Sequence, residues 1–203
     1  GWCLPRGFRR GRRLTQGDAR SAGLVAVPRA RACVGLGGNL GDVQAAMAAA
    51  AQDLDRLPGT RVVAVSSVYE SAPVDADGPN YLNAVAVLDT ALGPHELLRA
   101  LLALEQAHGR ERPYWHAPRT LDLDLLCHGG VVLSTATLTL PHPGMAARAF
   151  VLLPLQEALA DLAPLAAPAA DPCPPLPDAA AQARMAREQG IALKCGFPVN
   201  FGV

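Results

Sequence analysis

Lysine is almost missing from this chain of 203 residues: Lys194 is the only one. A G-x-x-x-x-G-K-[ST] phosphate loop needs a lysine to reach the phosphates, so that way of holding a nucleotide is excluded. Any phosphate must instead be met by arginine, histidine or a metal ion. Cysteine is sparse and scattered, because Cys3, Cys33, Cys127, Cys173 and Cys195 form no C-x-x-C pair and are odd in number. Neither a zinc site nor a disulfide framework is expected, and a reducing cytoplasm is the simplest home. No stretch reaches the roughly 18 unbroken apolar residues of a membrane span, so no membrane partner is expected. The dinucleotide fingerprint also fails, since Leu40 stands where the third glycine of G-x-G-x-x-G belongs in Gly35-Leu36-Gly37-Gly38-Asn39-Leu40-Gly41. That disfavours a nicotinamide-dependent oxidoreductase. The glycine cluster remains a tight turn that either brings backbone N–H groups or the Asn39 amide to a ligand, or serves the structure alone.

The chain is half apolar and has a formal net charge of zero. That suits one domain with tails, and one good core. The zero hides an asymmetry. Arg6, Arg9, Arg10, Arg12, Arg13, Arg20, Arg29 and Arg31 face the single acid Asp18 in residues 1–31, which leaves the remainder acidic. An arginine-rich leader suggests a targeting peptide or a nucleic-acid arm. This one has no apolar h-region and little helical periodicity, so a disordered extension or an over-long start of the reading frame is expected, and no nucleic-acid partner.

Residues 32–36 form a short apolar strand leading into the glycine turn. Residues 42–57 are alanine-rich, with Val43, Met47, Ala50, Leu54 and Leu57 at helical spacing, and Pro58-Gly59 ends the helix. Residues 61–69 and 81–90 read as strands joined by a loop with Pro73, Gly78 and Pro79, an open hairpin. Residues 94–108 make an amphipathic helix with Leu97, Leu98, Leu101, Leu102 and Leu104 on one side, closed by Gly109. A polar loop leads into the next strand. The order strand, helix, strand, strand, helix, strand predicts a ferredoxin-like split βαβ sandwich of α/β (α+β) class. Residues 131–133 and 137–140 would extend its sheet as a hairpin, and 150–162 would add a C-terminal helix. Residues 163–177 read as an Ala/Pro-rich linker, and 178–189 as a short peripheral helix ended by Gly190.

The densest chemistry lies in Ala117-Pro118-Arg119-Thr120-Leu121-Asp122-Leu123-Asp124-Leu125-Leu126. On a strand, Asp122 and Asp124 project from one face and Leu121, Leu123 and Leu125 from the other. Paired like charges on a half-buried strand call for something cationic between them. Carboxylates beside an arginine suit Mg²⁺ carrying phosphate, although a solvated polar face would show the same alternation. Arg110, Arg112 and Arg119, just before the pair, suit a phosphate clamp better than a random surface patch. Taken singly, His142 in Pro141-His142-Pro143 is an ordinary loop histidine. Tyr81 and Asn83 share a strand face, where an amide beside an aromatic ring can bind a flat heterocycle, but alone they pass for sheet residues.

In order along the chain stand Gly37-Gly38-Asn39-Leu40-Gly41, Ser66-Ser67-Val68-Tyr69 with Ala72-Pro73-Val74, and Tyr81-Leu82-Asn83-Ala84. Glu105 with Gly109-Arg110-Glu111-Arg112, the Arg119 to Asp124 run, and Pro141-His142 with Arg148-Ala149-Phe150-Val151-Leu152 follow. Together they strongly resemble the 6-hydroxymethyl-7,8-dihydropterin pyrophosphokinase family across residues 32–164. The resemblance implies transfer of pyrophosphate from ATP to the hydroxymethyl group of a dihydropterin, with release of AMP, in folate biosynthesis. It implies two Mg²⁺ ions on Asp122 and Asp124. By match, Arg119, His142 and Arg148 would bind the triphosphate, Glu105 would lie near the nucleotide, and Arg110 and Arg112 would belong to a loop that closes over the site. The catalytic set would be Arg110, Arg119, Asp122 and Asp124. Ser71, Pro73, Val74, Tyr81, Asn83 and Phe150 would form the pterin pocket. Either Trp115, by a one-residue shift, or His116 would close the lid. Domain limits are then 1–31 leader, 32–164 pyrophosphokinase domain and 165–203 linker and peripheral tail, expected as a cytoplasmic monomer. The alternative is a non-catalytic pterin- or nucleotide-binding relative, against which Arg119, Asp122, Asp124 and His142 argue.

Overall fold

A computed structural model describes residues 28–73, 78–109, 120–162, 173–199 and 201. Strand β1 (Ala30–Gly38) leads to helix α1 (Val43–Asp55), whose first turn is capped by Asp42 accepting from the Ala45 N–H at 3.0 Å. Strands β2 (Thr60–Val65), β3 (Val68–Ser71) and β4 (Tyr81–Thr90) follow, then helix α2 (Pro94–Ala107) and strand β5 (Asp122–His128). The chain continues through β6 (Leu133–Ser134), β7 (Thr139–Leu140), a 3₁₀ turn (Met145–Ala147), helix α3 (Ala149–Leu162), helix α4 (Ala179–Glu188) and β8 (Ala192–Cys195).

The main sheet runs β5-β1-β4-β3-β8, with β2 also on the β4 edge, and every pairing is antiparallel. Counting only strands of the split βαβ unit, the spatial order is fourth, first, third, second, as the expected ferredoxin-like sandwich requires. Alternation along each strand makes two cores. Leu36, Leu88, Leu121, Leu123 and Leu125 pack with Met47, Leu54, Leu97 and Leu101 of α1 and α2. On the opposite face Val85, Val87 and Leu126 pack against Leu155, Ala158 and Leu162 of α3. No helix among the described residues is long and apolar enough to cross a membrane.

Several expectations are corrected. The single strand read over 61–69 is two, because Ser66 and Ser67 redirect its hydrogen bonds. Ser66 Oγ accepts from the Val85 N–H, while the Ser67 N–H and hydroxyl both turn to Glu157 of α3. The glycines reached at the end of β1 are strand rather than turn as far as Gly38. The 131–140 hairpin does not extend the sheet. It forms its own two-stranded ribbon, closed by Thr135 Oγ1 accepting from the Leu138 N–H and donating to its carbonyl. Strand β8 was not anticipated, for its side chains are mostly exposed and carry no alternating pattern. Cys127 and Cys173 form a disulfide across 46 residues, with the Cys33 sulfur 3.8 Å from that of Cys173. Sequence spacing is silent about such a link, since only the fold brings β5 and the C-terminal segment together.

The Ser67 and Tyr69 side chains both end on Glu157, with the Tyr69 hydroxyl donating to Oε2 at 2.8 Å. Burial, then the hydrogen bond and charge of Glu157, push the Tyr69 phenol up to about 12 from its ordinary 10.0. The neutral phenol is therefore favoured by the fold. Its contribution is complete below about pH 10 and is lost as pH rises toward 12, where the unfolded chain already releases the proton. Tyr69→Phe is expected to be less stable at neutral pH by about 1 kcal/mol. It should also lose part of the wild-type decline between pH 9 and 11.5. Urea midpoints across that range check both signs.

Candidate active site

Three neighbouring strands bring polar candidates to one level. Gly37 of β1 stands opposite Asn83 of β4 and opposite Asp122 of β5. Cross-strand partners share a face, so Asn83, Gly37 and Asp122 line one row, about 10 Å across two strand spacings. The residue between the two polar side chains has none of its own. A Cβ on Gly37 would stand 3.6 Å from Asn83 Oδ1, an ordinary contact, so a small side chain would fit there but would cover the strip between the two polar groups. One step along, Gly35 faces Asp124 in the same way. Gly38 has a purely structural reason: a Cβ there would lie 2.6 Å from the Thr120 carbonyl oxygen. The glycine cluster thus serves close strand approach and also leaves open sheet beside the carboxylates.

Along β5 the expected alternation holds, with Leu123 and Leu125 buried, Asp122 half-buried and Asp124 exposed. Glu105, near the end of α2, is 1% exposed and accepts the Leu123 N–H at 2.8 Å. Strand β5 is an edge of the sheet, so this peptide N–H faces away from the ladder and needs a partner. The carboxylate supplies it at the one residue that separates Asp122 from Asp124.

Outside that edge lies a cleft of about 350 Å³ between α2, β5 and the β6–β7 ribbon. Leu98, Leu102 and Leu138 form its apolar wall, and Glu105, Asp124 and His142 its polar end. From sequence, Leu98 and Leu102 read only as part of the apolar side of this helix, and nothing there marks the ribbon threonines. The signal was present in α2, whose leucines are too many for one core stripe. Leu97 and Leu101 are buried, whereas Leu102 remains 42% exposed.

His142 accepts the Gly144 N–H on Nδ1 at 3.1 Å, which places the proton of a neutral ring on Nε2. Arg148 lies over the Phe150 ring at 5.8 Å from its centroid. Gly144 makes room for it, since a Cβ there would be 2.8 Å from the guanidinium. On the other flank the Asn83 amide donates to Ser71 Oγ at 3.0 Å, both residues buried, and Ser71 is in register with Tyr81. Pro73 is half-buried two residues beyond the end of β3. Arg110, Arg112, Trp115, His116, Arg119 and Val74 lie outside the described residues.

Fold and site together define an α+β sandwich whose paired carboxylates stand between an apolar cleft and a polar strip of the sheet. The chain belongs to the family described as 7,8-dihydro-6-hydroxymethylpterin-pyrophosphokinase (HPPK), whose model matches residues 33–160. It is 50% identical over 135 residues to the 2-amino-4-hydroxy-6-hydroxymethyldihydropteridine pyrophosphokinase of Pseudomonas aeruginosa, covering 66% of this chain and 81% of that one. With the enzyme of the same name from Methylorubrum extorquens the identity is 45% over 133 residues, covering 65% and 84%. The fold is similar to that of a solved Plasmodium falciparum HPPK-DHPS structure, with TM-score 0.50 and 13% identity over 66% of this chain. This chain spans 42% of that longer one. As a member of the family the protein is a pyrophosphokinase that transfers pyrophosphate from ATP to hydroxymethyldihydropterin in folate biosynthesis.

Proposed function

We propose that the dihydropterin lies on the strip between Ser71 and Asp122, and that the nucleotide fills the cleft beyond Asp124. The observation that supports this is the shared register of Asn83, Gly37 and Asp122, with Asp124 on the cleft wall. Substrate and donor then meet at the carboxylate pair. Asn83 reads the polar edge of the pterin ring, with Ser71 orienting the amide and Pro73 and Val74 closing the rim. Phe150 and Tyr81 supply the stacking surface. The adenine takes the apolar wall of Leu98, Leu102 and Leu138. His142 Nε2, Arg148 and Arg119 hold the triphosphate, and Arg110 and Arg112 close over it with Trp115 or His116.

The donor set fits Mg²⁺: two carboxylates on one open strand face, with glycines opposite and hard oxygen ligands only. When bound by Asp122 and Asp124, two Mg²⁺ ions would neutralise triphosphate charge and lower the pKa of the substrate hydroxyl. The protein's own part is alignment. Glu105 fixes the β5 backbone between the two aspartates, Asn83 orients the ring, and the basic groups set the β-phosphorus in line with the hydroxymethyl oxygen. Attack at that phosphorus forms the new O–P bond, breaks the bond to the α-phosphate and releases AMP. Water exclusion by the closed loop limits idle hydrolysis. ATP is an intracellular metabolite, so the cytoplasm is the working compartment we propose.

Incubation of the purified protein with ATP, Mg²⁺ and 6-hydroxymethyl-7,8-dihydropterin, with AMP resolved from ADP, tests the reading. Pterin-dependent AMP without ADP is the expected result. ADP would assign ordinary phosphoryl transfer, and neither product would assign a binding protein.

A further inference from the structure

The C-terminal segment lies outside the 33–160 family match, yet Gln189 reaches the backbone on either side of Arg148, a candidate site residue. Helix α3 opens at Ala149 immediately after Arg148, a residue unable to cap it. The cap comes from far along the chain, where Gln189 Oε1 accepts the Ala149 N–H at 2.9 Å. The same amide donates through Nε2 to the Ala147 carbonyl at 3.0 Å. One side chain therefore holds the peptides on both sides of Arg148, the second of them at the Ala149 N–H, one residue before Phe150.

Gln189 is itself well fixed. It is the C-cap residue of α4, followed by Gly190 at φ 63°, and the Ile191 N–H returns to the Ala186 carbonyl at 2.9 Å. At the other end of α4, Asp178 accepts the Ala181 N–H at 2.7 Å. Upstream the Cys127–Cys173 disulfide ties the segment to β5, and downstream β8 pairs with β3 through Tyr69 and Glu70.

We propose that Gln189 is a positioning residue for pyrophosphoryl transfer: it fixes the 147–149 backbone, so that Arg148 meets the triphosphate and Phe150 meets the pterin. This rests on the assignment of Arg148 and Phe150 to the site, and its test separates the two. The fully oxidised, full-length chain is compared as wild type, Gln189→Ala, Gln189→Glu, Arg148→Ala and the Gln189→Ala/Arg148→Ala double variant, by steady-state kinetics and thermal melting.

Gln189→Ala is expected to raise KM for both ATP and pterin by roughly five- to tenfold while kcat changes less, because the displaced groups bind substrates. Gln189→Glu keeps the acceptor for the Ala149 N–H and should recover part of the loss. In the Arg148→Ala background the ATP effect of Gln189→Ala should fall below about twofold, as coupled positions require. Wild-type KM values in folded Gln189→Ala would overturn the inference, as would losses that multiply in the double variant or that merely follow the folded fraction. If Gln189→Ala does not fold, the partial KM defect of Gln189→Glu decides in its place. Arg148→Ala with wild-type kinetics would instead overturn the site assignment on which the inference rests.

Discussion

Asp122→Ala and Asp124→Ala are each expected to lower pterin-dependent AMP release by roughly 10³-fold at saturating Mg²⁺, a loss typical of removing a main electrostatic element from a transfer site. Both side chains leave β5 on the face turned from the leucine core, Asp124 exposed and Asp122 half-buried. Stability should therefore change by less than about 1 kcal/mol. Single-turnover rates with a urea curve for each variant check the separation. Near-normal turnover in either variant would remove the metal assignment, and a large loss of stability would mean that the pair serves the fold.

Glu105→Ala is expected to do the opposite, harming fold and chemistry together. The carboxylate is 1% exposed and satisfies the Leu123 N–H at 2.8 Å, so truncation leaves a buried donor without its acceptor and opens a void beside Leu123. The combined cost is about 2–4 kcal/mol. For a chain of this size that lowers the melting temperature by roughly 5–15 °C. Activity at a temperature where the variant is folded should still fall by about tenfold or more, because the peptide that spaces Asp122 from Asp124 is no longer held. Glu105→Gln keeps an acceptor oxygen and should recover most of the stability. A Glu105→Ala variant that is fully folded and fully active would show that the hydrogen bond to Leu123 neither supports the strand nor spaces the aspartates.

Much of this was legible in the residues. Strand alternation forecasts the division of Leu123 and Leu125 from Asp122 and Asp124, because period-2 geometry depends on nothing but local backbone. Helical spacing and the Gly109 stop forecast a helix over residues 94–108 for the same reason, and α2 spans Pro94–Ala107. The break between β2 and β3 was not legible, since it depends on Glu157, 90 residues from Ser67 in sequence. Glu105 was assigned to the nucleotide by resemblance alone. That it also braces β5 follows only when α2 is laid against an edge strand.

The chain's own order of polar and apolar residues determined the fold class, the faces of each strand and helix, and the types of residue available for phosphate and metal, arginine and carboxylate without a usable lysine. These are local properties, carried by spacing and by chemical identity. Tertiary structure alone decided that Asn83, Gly37 and Asp122 share one row, that Cys127 reaches Cys173, and that Gln189 clamps the backbone beside Arg148. Each of these joins residues 40 or more positions apart, or joins strands through a register. Such meetings arise from how elements pack around a common core, which no window of sequence contains.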